Sequence, residues 1–202
     1  IKAILFDADG VLTNSPKMFS QILVEEYGVT VNRAMPFFAG PFQKCLIGQA
    51  DLKTEIQPYM KDWGISQDID EFVRYWLDSE NCPDQSMASL IQQLRQQGTQ
   101  CYVATNQEKY RADYMRSEMN FAEQFDGVYA SADLGARKPD KIFFTNLLES
   151  LQLKPEEVLF TDDTQKNVTV AEVLGIQSHF FTNHDNFKEF LEEKGVFVDE
   201  RR

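Results

Sequence analysis

Short apolar runs alternate with helical patterns along most of the chain. Five runs of about five residues are typical of strands, at 3–7, 101–105, 127–131, 158–162 and 177–182. Continuous apolar runs indicate parallel strands that are covered on both faces. Three apolar stripes at helical spacing lie beside these runs: Met87, Leu90, Ile91 and Leu94 before the second run; Ile142, Phe143, Leu147, Leu148 and Leu151 between the third and fourth; Val168, Ala171 and Leu174 between the fourth and fifth. This alternation predicts an α/β fold with a doubly wound parallel sheet.

The segment after the first strand breaks this rhythm and shows no clear strand. Its three apolar stripes are Met18, Phe19, Ile22, Leu23 and Tyr27; Leu52, Ile56, Tyr59, Met60 and Trp63; Ile69, Phe72, Val73, Trp76 and Leu77. The pair Ser15-Pro16 predicts a helix start, and Pro58 predicts a kink or break. We therefore predict a helical module of residues 14–82, inserted into a core formed by residues 1–13 and 83–202.

Charge and cysteine content limit the classes of partner. The formal net charge is −12, from 20 Lys and Arg against 32 Asp and Glu, so neither nucleic acid nor an anionic membrane is an expected partner. A small anionic substrate is still compatible with this net charge, because one local positive centre is enough to bind it. No apolar run approaches the roughly 18 residues of a membrane helix, and residues 1–2 lead straight into a strand, which predicts no signal peptide. Three scattered cysteines, Cys45, Cys82 and Cys101, predict a cytoplasmic protein without disulfides or zinc.

Polar side chains that could take part in catalysis or ligand binding follow three predicted strands. They are Asp7 and Asp9, Thr105 and Asn106, and Asp162 and Asp163. Ligands of open α/β sheets bind beyond the carboxyl ends of the strands. Lys138, which supplies a positive charge, directly precedes a predicted helix. Each group alone is also typical of a turn, a helix N-cap or a solvated loop. In combination they favour a site.

Four carboxylates in one cleft would disfavour each other's ionised forms. The site therefore needs a hard cation with oxygen ligands, and Mg²⁺ is the natural candidate. The histidines, His179 and His184, lie at or after the last strand and are interpreted as ordinary strand or loop residues. Metal, lysine and hydroxyl converging on carboxylates suit phosphoryl transfer through an aspartyl-phosphate. A second carboxylate can protonate the leaving oxygen and then activate water.

These residues make the sequence similar to the haloacid dehalogenase superfamily of hydrolases. Four motifs stand in family order: Asp7-Ala8-Asp9-Gly10-Val11-Leu12, Thr105-Asn106, Lys138-Pro139, and Asp162-Asp163-Thr164 with Asn167. The inserted helices resemble the C1-type cap of that superfamily. The runs ADLGARKPDKIFF and VLFTDDTQKNVTVAEVLGI resemble the branch that contains glucose-1-phosphate phosphatases and the phosphatase domain of epoxide hydrolases.

The resemblance implies a role for each motif. Asp7 is implied as the nucleophile and a magnesium ligand, and Asp9 as the general acid/base with its backbone carbonyl on the metal. Lys138 is implied to neutralise Asp7 and the phosphate. The remaining implied roles are phosphoryl binding by Thr105 and Asn106, and magnesium binding by Asp162 and Asp163.

The implied activity is that of a magnesium-dependent phosphomonoesterase acting on a small phosphorylated metabolite, with a sugar phosphate suggested by the branch. Dehalogenases of the superfamily lack the second acidic residue, so Asp9 and the pair Asp162-Asp163 argue against carbon–halogen hydrolysis. A sugar phosphomutase with Lys44 as a candidate cap group stays open, as does a non-catalytic binding protein on the same fold. The aromatic segment Phe37–Gln43 either lines the pocket mouth or packs in the cap core. The sequence leaves the oligomeric state open.

Overall fold

Five short strands form one parallel sheet in the computed structural model, which describes residues 1–196. They are β1 (Ala3–Phe6), β2 (Gln100–Thr105), β3 (Gly127–Ala130), β4 (Val158–Asp162) and β5 (Gln177–Phe180). The order across the sheet is β3-β2-β1-β4-β5, and each neighbouring pair is parallel. The predicted doubly wound α/β fold is confirmed. Three strands end one or two residues before the predicted positions, and the last six residues of the predicted core lie outside the described residues.

Helices occupy the chain between β1 and β2, as predicted for the inserted module. They are α1 (Phe19–Glu25), α2 (Val31–Ala39), α3 (Pro41–Cys45), α4 (Leu52–Trp63), α5 (Ile69–Ser79) and α6 (Gln85–Gln96), the last of which leads back to the sheet. The division into a cap of residues 14–82 and a core of 1–13 and 83–202 stays a proposal. Two linkers join them, and Asn14 N donates to the Cys82 carbonyl at 2.9 Å.

The predicted start of the first cap helix is wrong. The first helix begins at Phe19 and not at Ser15-Pro16, because the Ser15 hydroxyl donates to the Lys17 carbonyl within a bend rather than capping a helix. Helix α4 continues through Pro58, so the predicted break does not occur, while the predicted kink stays a prediction. Pro58 lies on the exposed side of α4, so the buried side keeps its packing through the proline.

The later helices flank the sheet in the expected places. They are α7 (Lys109–Ser117), α8 (Phe121–Gln124), α9 (Ser131–Leu134), α10 (Lys141–Leu151), α11 (Gln165–Val173) and α12 (His184–Glu193). Gly98 and Gly175 follow α6 and α11 with φ near +88°, a left-handed conformation that commonly ends a helix. Ile142, assigned to the buried stripe of α10, is 55% exposed, and Phe144 takes its place in the core.

Strand β1 is covered on both faces by apolar side chains. Ile4 and Phe6 belong to a large cluster that extends into the cap, whereas Ala3 and Leu5 belong to a smaller cluster on the other face. The four residues are fully buried. Because β1 is also paired with strands on both sides, its carboxyl end, where Asp7 follows, is among the most constrained points of the fold.

None of the helices within residues 1–196 combines the length and apolar character that crossing a membrane requires. The three cysteines in this part of the chain are free thiols. Cytoplasmic location stays a prediction.

Candidate active site

The carboxyl ends of β1, β2 and β4 open into a cleft of about 470 Å³. Phe6 pairs with Val103 on one side and with Thr161 on the other, so the residues that follow these positions lie side by side. Six of the seven predicted site residues line the cleft: Asp7, Asp9, Thr105, Asn106, Lys138 and Asp163. The seventh, Asp162, is fully buried against them. The register of the sheet therefore brings the separated motifs together.

A larger cleft, of about 840 Å³, lies near the opposite end of β2, where the strand begins. Its walls are rich in amides such as Gln92 and Gln96, and its arginine, Arg95, is paired with Asp126 at 3.1 Å. None of the predicted site residues lines it. Chemistry rather than size therefore identifies the candidate site.

Lys138 is the buried positive centre of the site. Its ammonium lies 2.7 Å from Asp7 Oδ1 and 2.7 Å from Asp162 Oδ2, and its side chain is 1% exposed. Burial by itself would lower the pKa of Lys138, but the two carboxylates outweigh burial and raise the pKa above its usual value. The lysine is therefore held charged inside the protein.

Burial raises the pKa of Asp7 to about 7, although Lys138 opposes the shift and Asp162 adds to it. One oxygen of Asp7, Oδ1, accepts the Ala8 N–H at 2.8 Å in addition to the contact with Lys138. The carboxylate thus lies in a fixed orientation where a further cation would favour its ionised form.

Asp162 is the acceptor that holds this arrangement. Its carboxylate accepts the Thr164 N–H at 2.8 Å and the Asn167 amide at 3.0 and 2.9 Å, besides Lys138. Asn167 comes from the first turn of α11, directly after the fourth motif. Both oxygens of Asp162 are therefore engaged, which fixes the position of Lys138.

Three carboxylates form a group with metal-binding geometry. Ligand oxygens of Asp7, Asp162 and Asp163 all lie within 4.8 Å of one another, and burial followed by the charge of Asp162 raises the pKa of Asp163. Gly10, with φ of +81°, passes so close to Asp163 that a Cβ would overlap its Oδ2. An all-oxygen set of this kind, with excess negative charge, fits Mg²⁺.

Asp9 has a different environment from Asp7. Its side chain is 62% exposed in the cleft, and its carboxylate is not part of the three-carboxylate group. Thr13 Oγ1 donates to Asp9 Oδ1 at 3.0 Å, and Gln107 Nε2 donates to Oδ2 at 2.6 Å. The two aspartates of the first motif are therefore separated into a buried, ion-paired carboxylate and an accessible, hydrogen-bonded one.

Thr105 and Asn106 follow the end of β2 beside Asp7. Thr105 is buried at the cleft wall. The Asn106 amide donates to the Lys138 carbonyl at 2.9 Å and accepts the Lys138 N–H at 2.8 Å. The side chain of Asn106 therefore positions the lysine loop, a role that sequence reasoning did not assign.

The other candidates from the sequence lie away from the cleft. Lys44 is exposed on α3, and the buried His179 contacts Thr161 and Asn186. Phe37 is fully buried and packs on Phe38, Phe42, Tyr59 and Trp63. The aromatic segment thus belongs to the cap core. Sequence reasoning missed Gln107, Glu80 and Arg111, whose roles depend on contacts between distant parts of the chain.

With this geometry in place, comparison with known proteins identifies the family. The model of the haloacid dehalogenase-like hydrolase family matches residues 4–181. The chain belongs to this family. A sesquiterpene phosphatase of Aspergillus oryzae is 30% identical over 179 residues, which cover 87% of each chain.

Solved structures agree on the fold. A protein of Porphyromonas gingivalis, described as a HAD-like family hydrolase, shares 24% identity at a TM-score of 0.79, with 96% of this chain and 97% of that chain covered. A HAD family enzyme of Bacteroides thetaiotaomicron, solved with magnesium and inorganic phosphate, shares 20% identity at a TM-score of 0.73 over 90% and 94% of the two chains. The predicted superfamily and hydrolase class are confirmed, while the predicted branch stays a prediction.

Proposed function

We propose that this protein is a magnesium-dependent phosphomonoesterase that acts through an aspartyl-phosphate on Asp7. The observation that carries the proposal is the contrast between the environments of the two aspartates at the end of β1. Asp7 is buried, fixed by Lys138 and grouped with two further carboxylates, while Asp9 is accessible in the same cleft. The phosphatase among the relatives and the magnesium and phosphate bound by a structural neighbour support it.

The geometry suggests which oxygen of Asp7 attacks. Oδ1 is held by Lys138 and by the Ala8 N–H, so we assign Oδ2 to the attack on phosphorus. The new Oδ2–P bond forms as the bond between phosphorus and the leaving oxygen breaks. We assign the ion to Asp7, Asp163 and the Asp9 carbonyl, with Asp162 behind them. When bound, Mg²⁺ neutralises the negative charge that gathers around the phosphoryl group.

Asp9 supplies the proton chemistry in this proposal. Thr13 and Gln107 hold its carboxylate at the cleft wall, from which it donates a proton to the leaving oxygen. It then takes a proton from water, which attacks phosphorus, breaks the Oδ2–P bond and releases inorganic phosphate. Thr105, the backbone of Asn106 and Lys138 are the groups we assign to the phosphoryl oxygens.

The cleft favours a phosphatase for small monophosphates over a phosphomutase. Among the described residues that line it, Lys138 is the basic one, and it is already paired with two carboxylates. A second phosphate group therefore finds no free cation there. Asn14, Ser15 and Glu80 offer hydrogen bonds on the cap side, which suits a leaving group with hydroxyls, such as a sugar.

The first test is hydrolysis of p-nitrophenyl phosphate with Mg²⁺ and with EDTA, using the wild type, Asp7→Asn and the exposed control Asp113→Asn. We expect magnesium-dependent release in the wild type and the control, and a loss of at least about a thousandfold in Asp7→Asn. Full activity in a folded Asp7→Asn protein would remove the mechanism. A trapped phosphoenzyme without release, rescued by a sugar bisphosphate, would indicate the mutase instead. Absence of any phosphoenzyme would point to a binding protein.

A further inference from the structure

Arg111 is a buried cation that the mechanism above does not use. It lies on α7 with its residue surface 3% exposed. Its guanidinium donates to the Leu77 carbonyl at 3.1 Å and to the Glu80 carbonyl at 2.9 Å. The same Nη2 lies 4.0 Å from Asp9 Oδ1, while Nε has no partner among the described residues. One side chain of the core thus contacts both the end of the cap and the surroundings of the second aspartate.

The two carbonyls explain part of this placement. Leu77 lies in the last turn of α5, and Glu80 is the residue that caps this helix. Carbonyls at a helix C-terminus lack intrahelical partners and carry partial negative charge, so a guanidinium is a favourable partner. Arg111 therefore fastens the C-terminal end of the last cap helix to the core.

The contacts continue from this point to both sides of the cleft. The Glu80 carboxylate accepts the Phe19 N–H at 3.1 Å, which links the return linker, residues 80–84 between α5 and α6, to the first turn of α1. On the core side, the Gln107 side chain donates to Asp9. The next residue, Glu108, caps α7 and accepts the backbone N–H of Arg111 at 2.6 Å. The start of α7 therefore touches Asp9 through one side chain and the cap through another.

A buried arginine without a carboxylate at hydrogen-bond distance is costly unless nearby charges compensate it. Asp9 and Glu80 are acidic groups beside it, and Arg111 opposes the effect of burial, which raises the pKa of Glu80. The placement of Nη2 near Asp9 and on the Glu80 carbonyl therefore joins the second aspartate to the end of the cap through one side chain.

We propose that Arg111 is a positioning residue, which fixes the return linker of the cap relative to Asp9 so that Asp9 meets the leaving oxygen in the productive geometry. This inference rests on the proposed function, because it assigns Asp9 the proton transfer. It predicts that loss of Arg111 impairs substrates in proportion to their need for a proton on the leaving oxygen.

The test uses a series of substituted phenyl phosphates of similar shape, whose leaving groups differ in basicity. Arg111→Met and Arg111→Lys are compared with Arg116→Met, a matched control on the same helix whose guanidinium is paired with Asp113 and Asp133 at the surface. We expect the fold-loss of activity in Arg111→Met to be about ten times larger, or more, on phenyl phosphate than on p-nitrophenyl phosphate. Arg116→Met should keep the wild-type ratio, and Arg111→Lys should fall between them.

An equal loss across the series in folded Arg111→Met, or no loss, would overturn the inference, since a purely structural role lowers all substrates alike. Hydrogen exchange supplies a second readout that needs no activity. The Asp84 N–H, which donates to the Leu12 carbonyl at 2.8 Å across the linkers, should exchange faster in Arg111→Met than in Arg116→Met. Unchanged linker exchange would contradict the proposed anchoring. A wild type inactive on every aryl phosphate would instead count against the proposed function.

Discussion

Gly10 passes so close to Asp163 that a single added methyl group would displace the carboxylate. A Cβ on Gly10 overlaps Asp163 Oδ2, and Gly10 has φ of +81°. Gly64 has nearly the same φ, +78°, with nothing within 4 Å of a Cβ. The two glycines therefore share a backbone requirement, but one of them also lies against a proposed metal ligand.

We therefore expect Gly10→Ala and Gly64→Ala to lose similar stability, about 1–2 kcal/mol each from the left-handed backbone. Gly10→Ala alone should require a higher Mg²⁺ concentration for half-maximal activity and for thermal stabilisation. Melting curves against Mg²⁺ for both variants check this. Equal magnesium dependence in the two would show that Asp163 is not a ligand or that it moves freely.

Asn106 gives a second prediction, because its amide makes two hydrogen bonds with the backbone of Lys138. Asn106→Ala should misplace the lysine and lower kcat/KM by roughly tenfold to a hundredfold. Asn146→Ala is the matched control, since Asn146 donates to the Leu134 carbonyl at 2.9 Å away from the cleft. Both variants should lose about 1 kcal/mol of stability. The interpretation fails if their kinetic constants change equally.

The assigned division between the aspartates gives a third prediction. Asp9→Asn should still form an aspartyl-phosphate from p-nitrophenyl phosphate, whose leaving group needs little protonation, and should release phosphate slowly. Rapid quenching followed by intact-mass measurement would detect the added phosphoryl group. The control Asp7→Asn should never acquire it. If Asp9→Asn cannot be labelled under these conditions, Asp9 is not a proton donor of the assigned kind.

Glu108 gives a prediction about pH and stability. Burial raises the pKa of this N-cap carboxyl from its ordinary 4.5 to about 7, against the lowering effect of the Tyr110 and Arg111 N–H groups. Between these values the folded protein keeps a proton that the unfolded chain has lost. The associated stability is therefore complete below pH 4.5 and falls as pH rises to about 7.

Glu108→Gln should remove this part of the pH dependence while retaining a side-chain acceptor for the helix. Urea unfolding in EDTA at several pH values between 4 and 8 gives the required free energies of unfolding. Glu118→Gln, at the exposed end of α7, should follow the wild type. A wild-type slope in Glu108→Gln would show that Glu108 titrates normally.

The sequence predicted those features that depend on local patterns. The buried run ending at Asp7 and its counterpart ending at Asp162 located two neighbouring strands, and the order of the motifs predicted which side chains meet. These signals are strong because a strand buried on both faces must be apolar throughout, so a carboxylate at its end stands out.

The remainder depends on contacts that no local pattern reveals. Ser15 has the residue type of a helix cap, but its hydroxyl donates within a bend. Arg111 has the pattern of a surface helix residue, yet it is buried against carbonyls more than thirty residues away. Asn106 is predicted to bind the phosphoryl group, which stays a prediction, and its amide also donates to the Lys138 carbonyl, a contact that the sequence does not reveal. The contacts of Ser15 and Arg111 follow from how α7 and the linkers pack in three dimensions.

The paired linkers have one further consequence. Because Asn14 and Cys82 are joined by a hydrogen bond, the chain leaves the core and returns to it at almost the same point. Apart from residues that contact the core, such as Leu77 and Glu80, the segment between them can change in length without altering the strand order or the four motifs. Under the proposed function, this architecture would let the part that contacts the leaving group vary while the residues proposed for phosphate-ester cleavage keep their places.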